Sequence, residues 1–477
     1  MNSTLKTTRY ALTGITLLMS STSAVLAQQA DNQNTLRPAL DVNQTVTSQA
    51  TTPQAANPQT ASIRAPVQQT NAPQPTRLLS NQPQSPPLPP PPPDVQRQSD
   101  PFQPVGIKVG GFRLYPVLEV TGDLSDNVRS GANNKLIDIG LRLAPSLNLQ
   151  SNWLRHSLSL NASSEHIFYA KAHDINSTTF DTSTALRLDL RRGTTLSNTA
   201  AYQLSETSSS SSEVPGTAIG NRSDHELSFS SALAHRFNRA TVTLTGGVRW
   251  IFVDDVKLAG GGKENNADRE YIEPSARLRL GYEISPALTP FVEVGYTPRI
   301  HNKTRDRNGV ARDSQGLIAS SGFGFNLSPI WDGEVALTFE HRDYKDNGLS
   351  DINAIGLNAS INWRPSQLTT VNFVSATSVD ESATTGISGT RNFDLALNIS
   401  HKFRENLTGN LNFGFNYDDF VGSNNDDMYF TVEAGFAYAI RRELEWVANY
   451  QFIHFKSGSP GNDYTENRIS TGVRFRL

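Results

Sequence analysis

Twelve charged residues stand at alternate positions within runs whose other positions are mostly apolar. They are Arg113, Glu119, Arg142, Arg187, Asp189, Arg277, Arg279, Glu334, Glu340, Arg342, Arg474 and Arg476. Charges spaced by two share one face of an extended strand. Such a face selects or orients a polar solute through charge and hydrogen bonding; it does not make or break bonds. Arg187, Arg277, Arg279, Arg474 and Arg476 would form a partly basic wall favouring anions or polyhydroxylated cargo. The same residues would equally brace the fold by pairing with carboxylates on neighbouring strands, and both readings stand at this stage.

Bond-making chemistry finds no comparable support. The nine histidines are scattered, without HExxH or another metal spacing. His235-Arg236-Phe237 and His401-Lys402-Phe403 read as matched strand ends. Gly260-Gly261-Gly262-Lys263 lacks the spacing and the Ser or Thr of a phosphate loop and reads as an external turn. Asn424-Asn425-Asp426-Asp427 is the one candidate calcium tip, and acidic tips are usually just solvated. No Ser or His site marks a hydrolase, cysteine is absent, and no cofactor or metal is expected.

The elements that must carry these charges are strands. In the final run Ile469, Thr471, Val473, Phe475 and Leu477 oppose Arg468, Ser470, Gly472, Arg474 and Arg476. An earlier run sets Ile137, Ile139, Leu141, Leu143, Leu147 and Leu149 against Asp138, Arg142 and Asn148. From residue 111 to 477 about eighteen such runs of roughly ten residues follow one another, the signature of a transmembrane antiparallel β-barrel. Sixteen is the other count allowed, because alternation weakens over Ser163 to Asp181 and Leu368 to Asp380. Short connections such as Arg191-Arg192-Gly193 and Asn238-Arg239 alternate with long polar loops such as Ser205 to Asn221 and Asp254 to Asp268. That is barrel hairpin grammar, with short turns and both termini on the periplasmic side. Trp153, Trp331, Trp363 and Trp446 sit beside short turns, as an interfacial girdle requires. A soluble sandwich or propeller would need two packed faces or blade repeats.

The hydrophobic content of 37% suits a barrel whose inner face is wet, and no apolar run is long enough for a spanning helix. A net charge of -3 argues against a nucleic-acid partner. Residues 1–27 read as a signal peptide, with Lys6 and Arg9 basic, Tyr10 to Met19 apolar and a Val25-Leu26-Ala27 cleavage site. Residues 28–110 read as a disordered Pro/Gln-rich linker and barrel lead-in, stiffened by Pro86, Pro87 and Pro89 to Pro93. The tail is a spacer or binds a periplasmic or cell-wall partner.

The lead-in reads Asp100-Pro101-Phe102-Gln103-Pro104-Val105-Gly106-Ile107, followed by Tyr115-Pro116 in the first strand and Asp126-Asn127-Val128 in the first loop. This DPFxPxGI stretch resembles the beta-barrel porin type 2 family of Gram-negative outer-membrane proteins, over Asp100 to Leu477. The resemblance implies an outer-membrane barrel in contact with lipid and lipopolysaccharide, inserted by the barrel assembly machinery. It also brings in, through related large barrels, an exit channel for surface polysaccharide. Many such barrels end on an aromatic insertion signal; here Phe475 and Leu477 share the lipid face around Arg476. Barrels of 16–18 strands leave an aqueous channel, so a passive pore for polar solutes is the leading expectation. Polysaccharide exit and a non-transporting anchoring or assembly barrel are the alternatives. An inward-folded third loop, Ser205 to Asn221, is set against a flexible exterior one; with no charge over Ser208 to Ser212, the exterior reading is favoured.

Overall fold

The structure, a computed structural model, describes residues 101–477 except 134, 208–213, 216, 383, 385, 459 and 460. The signal, the low-complexity segment and the polyproline stretch expected over residues 1–99 lie outside the described residues. The sheet holds twenty strands; two short ones, Ile107–Val109 and Ile300–His301, are extensions, leaving eighteen in the wall.

The wall begins with β1 (Phe112–Ser125), β2 (Asp138–Ser151), β3 (Ser157–Tyr169), β4 (Ser177–Arg191), β5 (Thr194–Thr207) and β6 (Arg222–Phe237). It continues with β7 (Ala240–Val253), β8 (Tyr271–Tyr282), β9 (Leu288–Tyr296), β10 (Ser314–Ser328), β11 (Trp331–Tyr344) and β12 (Ile352–Ser366). It ends with β13 (Thr369–Glu381), β14 (Gly389–Arg404), β15 (Leu407–Val421), β16 (Asp426–Arg441), β17 (Leu444–Ser457) and β18 (Tyr464–Arg476). Sequential neighbours pair antiparallel, and β18 pairs with β1 from Val117↔Arg476 to Ser125↔Arg468, which closes the ring. Closure leaves no sheet edge, the condition for strands to cross a hydrocarbon layer. Eighteen is therefore the count, and sixteen is excluded.

Local chemistry sets the tight ends. Gly193, at φ +76°, and Asn238, at φ +56°, occupy the left-handed conformation that two-residue hairpins demand. Register shifts at Asp189/Arg191, Asn326/Ser328, Trp363/Ser366, Lys402/Arg404 and Ala439/Arg441 place a bulge beside five of the short turns. These bulges add twist where the chain reverses. The lead-in folds back on the wall: Ile107 lies opposite Leu114, and Arg476 donates to the Phe102 carbonyl at 2.9 Å.

Large apolar side chains face outwards. Leu118, Leu124, Ile139, Leu244, Leu337 and Ile355 are all exposed, whereas Glu119, Asp123 and Arg142 on the opposite face are buried. An outward apolar belt over an inward polar face is the inverse of a sandwich or propeller core, and it rules both out. Trp331 stacks on Trp363 with ring centroids 5.2 Å apart, and Phe112 meets Trp153 edge-on at 5.3 Å. The Trp446 indole donates to the Thr471 hydroxyl at 3.0 Å. All four tryptophans stand at the short-turn end. Phe475 and Leu477 are both half-exposed, and the Leu477 amide donates to Pro116 at 3.2 Å.

The wall departs from regularity at one place. The β12–β13 ladder runs only from Ser366↔Thr369 to Ala359↔Ser375, although β12 continues to Ile352. Beyond Ser375 the β13 strand lies against the inner face of β12. Thr377 fits over Gly356, where a Cβ would sit 1.9 Å from its hydroxyl. Val379 packs in a buried cluster with Tyr344, Leu349, Ile352 and Ala354. The β13–β14 hairpin end is thus a tongue tucked inside the ring at the long-loop end. Residues 208–213 and 216 of the Ser205 to Asn221 loop lie outside the described residues. The described end of that loop pairs with its neighbour: the Ile219 amide donates to Lys257, and Ala259 donates to Thr217, each at 2.8 Å.

Candidate functional site: the lumen wall

Cross-strand register turns the inward residues into rows, and the rows divide the lumen into four sectors. Around the closing seam, β18 to β3, Arg142 is 1% exposed between Asp123 and Glu165, the latter at 3.0 Å. Arg474 bridges Glu119 at 2.7 Å and Glu445 at 3.1 Å, and Arg476 joins Glu445 at 2.8 Å. Arg468 pairs with Glu466 at 2.7 Å. Across the ring, on β8 to β11, Arg277 approaches Glu293 at 3.8 Å and Arg279 meets Glu334 at 2.5 Å. The Arg279 guanidinium also lies over the Phe291 ring, 3.4 Å from its centroid. Arg342 contacts Glu340 at 3.1 Å and Glu273 at 3.7 Å.

The two sectors between these are nearly uncharged at mid-height. On β3 to β8 one row runs Ser159, Ala185, Thr199, Ser230, Gly247 and Ser275. Facing it, on β12 to β17, a row runs Asn362, Asn372, Asn398, Asn412, Glu433 and Gln451. Strands nine places apart in a ring of eighteen face one another, so a hydroxyl wall opposes an amide wall. Ser159, Thr199 and Ser230, like Asn362 through Asn412, are only half-buried, so these walls are open to the lumen.

All twelve charges singled out from the sequence fall on the inward rows. Of the five arginines that suggested a basic wall, each is ion-paired: Arg187 with Asp189 at 3.0 Å, the other four as above. The braced alternative is the one found, and the wall carries little uncompensated positive charge there. Arg113 lies inward at the short-turn end, packed beside the lead-in at Gly106 and Tyr115. The two histidine motifs do match: His235 bonds Thr194 at 2.7 Å and His401 bonds Thr369 at 2.8 Å, each ring edge-on to the next Phe. Gly260 to Lys263 forms the tip of a small hairpin in which Lys263 pairs with Lys257.

Several inward charges escaped the sequence reading. Asp123, Glu165, Arg249, Glu273, Glu293 and Glu445 obey the same alternation and were there to be found. Arg299 and Glu381 gave no such signal. Arg299, its side chain 1% exposed, bonds Glu273, Glu381 at 2.9 Å and the Val379 carbonyl at 2.6 Å. It ties the tongue to the wall four strands away. Arg312 holds the same tongue through the carbonyls of Ser382, Ile387 at 3.2 Å and Thr384 at 3.4 Å, while pairing with Asp306 at 2.7 Å.

Above the wall, Arg307 clamps two long loops together, reaching Glu264, Asp268 at 2.8 Å and the Asn265 carbonyl at 3.0 Å. Burial alone would raise the Asp268 pKa, but hydrogen bonds from Arg307 outweigh it and hold the carboxyl at about 2. No group of three or more His, Cys, Asp or Glu among the described residues could hold a metal ion.

A closed eighteen-strand ring, apolar outside and polar inside, defines a transmembrane β-barrel of pore size. The chain belongs to the family described as "Putative beta-barrel porin 2", which matches residues 100–477; it is a porin-like barrel of an outer membrane. No curated protein matches it. Among solved structures it is similar to OccAB4 of Acinetobacter baumannii at 12% identity, covering 79% of this chain and 100% of that one, with a TM-score of 0.38. It is also similar to OpdL of Pseudomonas aeruginosa at 12% identity, 77% and 100% coverage and a TM-score of 0.37. A ferric enterobactin receptor, PfeA, of Pseudomonas aeruginosa is similar at 7% identity, 76% and 80% coverage and a TM-score of 0.38. Likenesses at these values assign no cargo to this chain.

Proposed function

We propose that this barrel is a passive pore for polar solutes, narrowed at its long-loop end by the β13–β14 tongue. The observation that carries the reading is the closed ring of eighteen strands with two facing sectors of half-buried polar side chains. A ring of that number is too wide to be filled by its own side chains. The charged sectors brace the wall, and the open sectors line the path. On this reading the short turns, the tryptophan girdle and both termini lie on the periplasmic side, residues 1–27 are removed on export, and the Pro-rich tail spans the periplasm towards a partner there.

Planar-bilayer recording of the purified mature chain tests it. Discrete steps of current in simple salt are expected, weakly selective between cation and anion because the wall charges are paired. A protein that inserts, migrates as a folded barrel and carries no current refutes the pore and favours an anchoring role. Current blocked by long acidic polysaccharide, with small sugars without effect, favours the export reading.

A further inference from the structure

The inward arginines of the charged sectors, which would recognise an anionic solute, are already paired with carboxylates, whereas the amide wall keeps open hydrogen-bonding capacity. Asn362, Asn372, Asn398 and Asn412 stand directly opposite one another on four consecutive strands. Adjacent strands lie about 4.8 Å apart, so the four side chains form a ladder about 14 Å long on the lumen face. Each amide offers two N–H donors and a carbonyl acceptor. Some of this capacity is spent laterally: Asn372 donates to Asn362, Asn362 to Asp332 at 2.8 Å, and Asn412 to Glu433 at 3.4 Å. Those bonds orient the amides and leave carbonyl and N–H groups facing the lumen. Across the channel Ser159, Thr199 and Ser230 present hydroxyls, which both donate and accept; those of Thr199 and Ser230 also bond each other at 2.7 Å.

A ladder of this kind is matched to hydroxyl groups, which also donate and accept. It is poorly matched to a carboxylate or phosphate, which only accepts and would meet carbonyl lone pairs, or to an ammonium, which only donates. The rungs repeat at about the length of one sugar ring. Passage through a pore needs many weak, equivalent sites, because a single strong site would trap the solute. We infer that the Asn362–Asn372–Asn398–Asn412 ladder is a binding track for neutral oligosaccharides, and that it sets the preferred cargo of the channel. This rests on the pore reading for its transport role, but binding to the track does not.

The test is calorimetric titration of the detergent-solubilised full-length mature barrel with maltohexaose and, separately, with an acidic oligogalacturonate of equal length. Millimolar binding of maltohexaose is expected, with weaker binding of the acidic chain. The triple variant Asn372→Ala, Asn398→Ala, Asn412→Ala is expected to bind maltohexaose at least about tenfold more weakly. Asn398→Ala alone, the rung with no lateral hydrogen bond to lose, gives a smaller shift in the same direction and covers the case in which the triple variant does not fold. Absence of maltohexaose binding, unchanged affinity in a folded variant, or tighter binding of the acidic chain overturns the inference. Bilayer current on the same preparation separates the two readings: current without sugar binding sinks the track alone, and binding without current sinks the pore alone.

Discussion

The tongue is held by a buried guanidinium, and Arg299→Ala measures how much that hold is worth. The substitution removes the ion pair to Glu381 at 2.9 Å and the hydrogen bond to the Val379 carbonyl at 2.6 Å. Breaking a buried pair by deleting one partner costs about 3–5 kcal/mol. Glu273 loses Arg299 as well, but it keeps Arg249 at 3.1 Å and Arg342 at 3.7 Å, so the lower end of that range applies. About 3 kcal/mol corresponds to roughly a 100-fold fall in the ratio of docked to undocked tongue. The remaining anchors, Arg312 and the Val379 cluster, are then all that hold the tongue to the wall. Single-channel recording is the assay. The wild type should dwell in a low-conductance state, and Arg299→Ala should spend most of its time in a larger one, with more flickering. Glu381→Gln should move the distribution the same way by less. If folded Arg299→Ala shows the conductance and dwell times of the wild type, the tongue does not narrow the pore and the reasoning fails.

Three further outcomes are expected. Gly356→Ala places a methyl where Thr377 now sits and should undock the tongue as Arg299→Ala does; adding Thr377→Gly should restore the wild-type conductance. Arg142→Met leaves Asp123 and Glu165 buried and unpaired, and should lower resistance to urea unfolding by about 3–5 kcal/mol, read by band-shift of folded against unfolded barrel. Asp268 has a folded pKa of about 2, below its ordinary 3.8, so its contribution to the Arg307 clamp is full above about pH 4 and lost as pH falls towards 2. Protease cleavage within the long loops should rise over that acid window in the wild type, measured with an acid-active protease. Arg307→Ala should show the raised cleavage already at pH 5, and equal cleavage of the two proteins at pH 5 would refute the clamp.

The wall was legible because alternation survives in any strand that has lipid on one side and water on the other. Leu118, Leu124 and Ile139 could point nowhere else, and Glu119 and Arg142 followed by parity. The partners of those charges were not legible. Whether Arg474 meets Glu119, Glu445 or neither depends on register between strands, and a single sequence carries no direct record of register. The tongue was hidden for a different reason. Thr377, Val379 and Glu381 face the inner wall while Ala376, Ser378 and Asp380 face away, so neither side of this stretch is a lipid face. The weakened alternation over Leu368 to Asp380 was the trace it left, and it read only as doubt about strand count. The asparagine ladder was half visible: Asn398 and Asn412 each alternate with apolar neighbours in the sequence, but their alignment with Asn362 and Asn372 appears only when four strands are laid side by side.

The seam that closes the ring joins the first wall strand to the last, and Glu119 meets Arg474 across 355 residues of chain. Every other wall ladder can form between neighbours in sequence, so this pairing is by far the longest-range contact the fold must make. It also cannot begin until the carboxyl terminus has been made. A deletion within Tyr464 to Arg476 would therefore do more than shorten the wall by one strand. It would leave β1 and β17 with bare edges, each a template for pairing with another chain. β18 thus covers two edges at once, that of β1 and that of β17.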